Sequence, residues 1–304
     1  MIHYIIVAHK SPEYLNVLID SLNGNDVNII IHLDWYQDIS DYQNLERENI
    51  FFVKNRVKVR RWWFSMVQWI LNALNQINNK IHKDDHIIIL SGQDYPLQNS
   101  FDLKHKLQSY IWKSFIEYRI QPNYDRNILN RVVRYHFHDL IVYDWLNTLV
   151  EKIVSLFVTI PHTRNQIFVY ARQRVVNFFL PIKKYLTNHY SIYWWSSWMI
   201  LSWKHALYIN DFCSTKKWRK FIEEFKTIAW PDEIFFQTLL LSSEYADDIR
   251  NWLPWYIDWK KWPGLPRILD ESDYQSIQKC DKRFARKFEL HTSNMLIQDL
   301  KKII

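Results

Sequence analysis

Four consecutive residues, Trp230-Pro231-Asp232-Glu233, place two carboxylates directly ahead of an apolar run, Ile234 to Leu241. A proline followed by acids reads as the first turn of a helix. Acids there are commonly no more than partners of the helix macrodipole. A buried carboxylate in such a turn has a second use as a general base, because desolvation lifts its pKa toward neutrality. Further along, Lys282-Arg283-Phe284-Ala285-Arg286-Lys287-Phe288, with Arg267 upstream, concentrates cations in a region read as loops and short helices. Such a run is ordinarily a solvated face. The interleaved phenylalanines argue otherwise, since burying them would fix the intervening cations in place, where they could hold an anionic ligand.

The elements that must carry these residues are legible in the first hundred positions, where strand and helix signals alternate as in a parallel sheet covered by helices. His3 to His9 is an apolar run rich in Ile and Val; Ser11-Pro12-Glu13 then supplies an N-cap and a first-turn proline, and Leu15, Leu18, Ile19 and Leu22 share one helical face. Val27 to Leu33 is a second buried strand ending at Asp34, Ile50 to Val53 a third, and His86 to Leu90 a fourth that runs into Ser91-Gly92-Gln93-Asp94. A helix is predicted from about Phe64 to Ile77. In open α/β sheets ligands bind at the carboxyl ends of strands, and His9-Lys10, Asp34 and Asp94 all fall there. The segment from about Glu117 to Tyr190 mixes Arg126, Arg131 and Arg134 with helical apolar patterns and has no linker-like stretch, so it reads as a helical insertion, about 120–190, in one domain spanning 1–304. An aromatic-rich strand returns at Tyr193 to Ser202, followed by helices near 204–209 and 216–225.

Composition removes several function classes. The chain has 304 residues, 48% hydrophobic, and can bury a large core. Only Gly24, Gly92 and Gly264 occur, which excludes a P-loop or a dinucleotide fingerprint; a phosphorylated ligand would have to be held by side-chain cations. Cys213 and Cys280 form no CxxC or Cys/His cluster and read as two free thiols of a reducing compartment. No signal peptide is evident at the start, and Ile153–Ile160 and Val175–Ile182 are too short to span a bilayer. With a net charge of +7 they are compatible with contact at an anionic membrane surface, or with a pair of core helices and a solvated face. Nucleic acid is disfavoured: the basic residues are dispersed and no recognition motif accompanies them.

The segment Leu90-Ser91-Gly92-Gln93-Asp94-Tyr95-Pro96-Leu97 closely resembles the signature of the core-2/I-branching β-1,6-N-acetylglucosaminyltransferases and the related peptide xylosyltransferases. Five more segments resemble that family in the same order: Val7-Ala8-His9-Lys10, Ile31-His32-Leu33-Asp34, Phe115-Ile116-Glu117, Pro231-Asp232-Glu233, and Phe284-Ala285-Arg286-Lys287-Phe288 with Arg267 upstream. The resemblance implies a single GT-A-like α/β domain with a mostly parallel central sheet, its first 110 residues holding a UDP-sugar and the remainder the acceptor. It implies transfer with inversion. By position it gives Glu233 the role of base, Ile6, Asp34, Asp94, Arg267 and Lys287 the donor side, and Glu117, Arg126 and Trp195 the acceptor side. GlcNAc is the favoured sugar and xylose the alternative. No metal is expected, because no Asp-x-Asp motif occurs and fixed cations can stabilise a departing diphosphate.

Two departures from the family pattern bear on substrate fit. Where members carry a small-residue turn, this chain reads Arg60-Arg61-Trp62-Trp63-Phe64-Ser65, and a Gly-Ser strand is replaced by Trp194-Trp195-Ser196-Ser197-Trp198. Those rings either stack on acceptor sugar or pack as core and rim. Lacking the anchor and disulfides of the animal members, the chain resembles a bacterial, cytoplasmic relative, with peripheral contact at the inner membrane face left open. Its acceptor would be a saccharide or lipid-linked oligosaccharide. A non-catalytic carbohydrate-binding relative is the competing reading.

Overall fold

The computed structural model describes residues 1–9, 11–120, 126–136, 182–259 and 266–302, with the side chains of 126 and 127 left out. Expectations resting on Lys10, on Ile153–Ile160, on residues 175–181 and on most of the 120–190 insertion lie outside the described residues.

Among the described residues, seven strands form a sheet: β1 (Ile2–Ala8), β2 (Val27–Leu33), β3 (Ile50–Phe52), β4 (His86–Ser91), β6 (Ser114–Ile120), β7 (Tyr193–Ser202) and β8 (Ile249–Arg250). Their order is β3-β2-β1-β4-β7-β6-β8. Pairings β1/β2, β1/β4, β2/β3 and β6/β8 are parallel, and β7 runs antiparallel to both β4 and β6. The sheet is therefore mostly parallel, as the alternation of strand and helix signals predicts.

Strand alternation sends Ile5, Val7, Ile30, Ile87 and Ile89 to one face, under α2 (Ser65–Ile77), α6 (Trp203–Cys213), α7 (Lys216–Phe225) and α8 (Phe235–Leu241), with Leu186 of the short α5 (Tyr185–His189) in the same core. Tyr4, Ile6, Ile29, Ile31, Ile88 and Leu90 go to the other, under α1 (Pro12–Leu22), α3 (Ser100–Gln108) and α10 (Leu290–Lys301), joined by Ile277 of α9 (Tyr274–Lys279). Because both faces are covered, these strands read as continuous apolar runs rather than as alternating ones. Ser11 caps α1 as expected, its Oγ accepting from the Tyr14 N–H at 3.4 Å, with Pro12 in the first turn.

Two elements differ from their predicted form. The acids of Trp230–Glu233 do not open the helix that follows. They sit in a separate 3-10 turn, Pro231–Glu233, and α8 begins only at Phe235. Trp230 takes a left-handed conformation, φ 51°, and the Ile234 N–H closes the turn on the Pro231 carbonyl at 3.1 Å, so the backbone changes direction twice here. The cationic segment near the C-terminus, expected as loop and short helix, also holds a strand between its loop residues. Phe284–Arg286 is strand β10, paired antiparallel to β5 (Asp94–Pro96) and parallel to β9 (Trp255–Ile257) in a three-stranded sheet. Phe284 and Phe288 are fully buried, as their interleaving with cations predicts.

Candidate functional site

The carboxyl ends of β1, β2 and β4 lie side by side, and β7, running the other way, brings its first half to the same edge. Gly92 sits close against β1 at this edge: its N–H bonds the Val7 carbonyl at 2.7 Å, and a Cβ there would lie in van der Waals contact with that oxygen at 3.4 Å and the Ala8 Cα at 3.5 Å. Asp34 closes the neighbouring corner, its N–H bonding the Ala8 carbonyl at 2.9 Å. One of its carboxylate oxygens accepts from the Tyr36 N–H at 3.0 Å and the other from the Val59 N–H at 2.9 Å. Asp34 thus ties the loop after β2 to the loop after β3, and its accessible surface is small.

Asp94 is fully buried in the turn after β4. It accepts from the Ser91 N–H at 2.8 Å and the Ser91 hydroxyl at 3.0 Å, and it faces Arg286 Nη1 at 3.4 Å. Register puts Arg286 opposite Asp94 in the β5/β10 pair, so two segments singled out separately in the sequence form one structural unit. Burial raises the Asp94 pKa, and the Arg286 guanidinium opposes that rise. Arg286 is 12% exposed, lies 4.0 Å above the Trp198 ring, and its Nε has no hydrogen-bond partner. A second clamp joins the same segments: the Phe288 N–H donates to the Gln93 carbonyl at 2.9 Å. Lys287 follows Arg286 at the surface of this unit, partly buried.

Glu233 stands on the other side of β7. Arg131, on α4 (Arg126–Val133), donates to its Oε2 at 2.8 Å. The guanidinium of Arg131 also covers the Trp230 ring at 4.3 Å, so it is held from two directions. Beside Glu233, buried Asp232 accepts from the Ser197 hydroxyl at 2.6 Å, which fastens the 3-10 turn to β7. Gln237 fastens the next helix to the same strand by donating to the Ser196 carbonyl at 2.5 Å. Burial, and then the neighbouring Asp232 charge, push the Glu233 pKa from 4.5 up to about 7; Arg131 works against both. Its side chain keeps 34% of its exposure, so a substrate can reach it.

Glu117, on β6, completes the edge. The Trp195 indole N–H donates to it, and burial raises its pKa against that bond and the charge of Lys282. Arg119 lies 3.6 Å over the Trp195 ring, whose centroid is 5.0 Å from that of Trp194. Three residues within four positions of β7 therefore touch three groups: Trp195 touches Glu117, Ser197 touches Asp232, and Trp198 touches Arg286. These contacts place Glu117, Asp232-Glu233 and the Asp94-Arg286 unit around one stretch of strand.

Two residues assigned by position, Ile6 and Arg267, are placed differently. Ile6 is fully buried in mid-strand and packs into the core beneath α1, so its side chain belongs to the core and not to the strand-end edge. Arg267 donates through Nε to Asp258 at 2.9 Å and through Nη1 to Asp270 and the Ile268 carbonyl, both at 3.1 Å; Nη2 donates to Asp273. Those bonds occupy four of the five N–H groups of a guanidinium, so Arg267 is engaged by carboxylates where a diphosphate contact was expected. Arg126 opens α4, and its side chain lies outside the described residues. Sequence reasoning missed Arg131 and Arg286 as site residues. Nothing local marks Arg131, which meets Glu233 across 102 positions, whereas Arg286 adjoins Lys287 within a motif already singled out.

Among the described residues no group of three or more His, Cys, Asp or Glu is arranged to hold a metal ion. Cys213 and Cys280 are free thiols, and burial pushes the Cys213 thiol up to about 12. No described helix is long and apolar enough to cross a membrane.

No model of a known protein family matches the chain. Nor does any curated protein. Among solved structures, mouse xyloside xylosyltransferase 1 in its apo form is similar over 94% of this chain and 97% of its own length, with 12% sequence identity and a TM-score of 0.37. At that score the likeness carries no argument about chemistry.

Proposed function

We propose that the chain is an inverting glycosyltransferase that uses a UDP-sugar, with Glu233 as the base that takes the proton of an acceptor hydroxyl. The observation that carries this reading is the state of Glu233: a reachable carboxylate whose pKa of about 7 sits where a general base works best near neutral pH. The six ordered family-like segments support the same reading. So does the meeting of four of them, around Asp34, Asp94, Glu117 and Glu233, with the Arg286-Lys287 segment along one sheet edge.

In the reaction, the acceptor oxygen attacks the anomeric carbon as its proton passes to Glu233, and the bond from that carbon to UDP breaks on the opposite face. The charge that develops on the leaving diphosphate needs fixed cations or a metal. Lys287, with Arg286 behind it, is the cation pair assigned to it, and no metal is required in this scheme. Arg267, with four of its five N–H groups engaged, has one left to offer the diphosphate. Glu117 and Trp195 are assigned to the acceptor sugar, one as hydrogen-bond acceptor and the other as a stacking ring. GlcNAc is the first sugar to try and xylose the second. The acceptor is a saccharide, free or lipid-linked.

The test is Glu233→Gln, assayed for UDP release over a panel of UDP-sugars and for UDP binding. Turnover lost with binding intact supports the assignment. Equal turnover moves the role of base elsewhere. A wild-type protein that binds glycans but releases no UDP from any donor favours a non-catalytic carbohydrate-binding protein.

A further inference from the structure

Five cations, Lys54, Arg56, Lys58, Arg60 and Arg61, fall within eight residues after β3, and no acid lies between Lys54 and Phe64. The segment is fixed to the loop after β2, as the Trp35 N–H bonds the Val57 carbonyl at 3.3 Å and Arg56 donates to the Gln37 carbonyl at 3.2 Å. Two large rings stand on that neighbouring loop, Trp35 at 61% and Tyr36 at 66% exposure. Arg56 lies over the first at 5.6 Å and Lys58 over the second at 4.1 Å. Rings this exposed protrude from the surface instead of lining a cleft. Trp62, 44% exposed, extends the row and contacts Trp230 with centroids 5.6 Å apart, next to the turn that carries Glu233. Against these five cations, residues 34–41 of the neighbouring loop carry three acids, Asp34, Asp38 and Asp41, which leaves the patch with a cationic surplus.

We propose that this ridge docks the protein on an anionic phospholipid surface. Protruding rings with an apolar body and a polar edge settle at the headgroup level of a bilayer. The cations beside them meet the negative surface potential of an anionic leaflet. A soluble polyanion would be met by cations alone and gives no use to Trp35, Tyr36 or the exposed Ile39. Because one backbone hydrogen bond and the side chains of Arg56 and Asp34 cross-link the two loops, the ridge is ordered before it binds and little ordering cost opposes docking. The proposal rests on this surface and holds whether or not Glu233 is a base. If the transferase reading holds too, docking would bring the Trp62-Trp230 contact toward the bilayer, the side from which a lipid-linked acceptor would arrive.

The experiment is flotation of the full chain with vesicles of phosphatidylcholine alone and with ~30% phosphatidylserine, in about 0.1 M salt where surface charges act over a Debye length of ~10 Å. The wild type should partition onto the anionic vesicles and bind the neutral ones far less. Lys58→Glu changes the local charge by two and should weaken binding roughly 30-fold, at about fivefold per charge. It leaves the Arg56-Gln37 bond in place, and an unchanged thermal midpoint checks the fold. Trp35→Ser with Tyr36→Ser should weaken binding to the anionic vesicles as well. Equal binding of the wild type to both vesicle types overturns the proposal, as does a Lys58→Glu variant that binds like the wild type. Preference for heparin over anionic vesicles at the same salt also overturns it, and assigns the surface to a soluble polyanion.

Discussion

Replacing Glu233 by Gln should stabilise the protein by an amount that grows as pH rises from 4.5 to about 7 and then levels off. The folded pKa of Glu233 is raised, from 4.5 to about 7, so between those values the native state holds a proton that the unfolded chain has released. Stability then falls as pH rises across this window, because the unfolded state binds fewer protons than the native one. Below pH 4.5 both states carry the proton and Glu233 costs nothing. Above pH 7 both are ionised and the full cost is felt. A shift of that size on a wholly buried group would amount to about 3.4 kcal/mol, at 1.36 kcal/mol per unit. The side chain keeps 34% of its exposure and water screens it, so about 1.5 kcal/mol is the better expectation. Gln keeps an oxygen that can accept from Arg131 but sheds the charge that Asp232 repels. Urea unfolding at pH 5 and pH 8 checks this: the gain should be about 0.4 kcal/mol at the first and about 1.5 kcal/mol at the second, with unchanged m-values. A variant equal to or less stable than wild type at pH 8 would refute the reasoning, because it would mean that Glu233 is an ordinary carboxylate held by its ion pair.

Arg131→Gln removes the cation that opposes the rise in Glu233, so its pKa should climb by about 0.7 units for a loss of ~1 kcal/mol; carboxyl-carbon NMR titration of the free protein reads this, and a fall would be wrong in sign. Arg286→Met leaves Asp94 buried opposite no cation and should cost about 3 kcal/mol at pH 8, with part of that recovered when Asp94→Asn is added, measured as a double-mutant cycle in urea. Asp34→Ala removes the acceptor for two backbone N–H groups and should cost about 2–3 kcal/mol, with faster amide exchange at Tyr36 and Val59 than elsewhere in the sheet.

What the sequence revealed, and what it hid, follows from how local each determinant is. β1, β2 and β4 are continuous apolar runs because both faces of the sheet are covered, and the Ser11-Pro12 cap and the helix at Lys216–Phe225 obey rules that act within a few residues. The strand-end location of Asp34 and Asp94 follows from the same pattern. The β5/β10 pair is another matter: three-residue strands carry almost no periodic signal, and their partners lie nearly two hundred positions apart. Motif spacing marked both segments but could not reveal that Asp94 faces Arg286. The engagement of Arg267 by three carboxylates was hidden for the same reason, since only one of them, Asp258, precedes it and none forms a recognisable motif. For the acids of Trp230–Glu233, propensity favoured a helix start, but the left-handed Trp230 and the bond from Ser197 to Asp232 impose a separate turn. That tertiary override is what gives Glu233 its surroundings.

The central claim, that the strand-end edge receives a UDP-sugar and needs no metal, is tested most directly by titrating UDP into the protein calorimetrically in the presence of EDTA. Saturable binding that persists with the chelator, and that weakens when Lys287 is replaced by Met, is the predicted result. No heat at millimolar UDP, or binding that appears only when a divalent cation is added back, would contradict it.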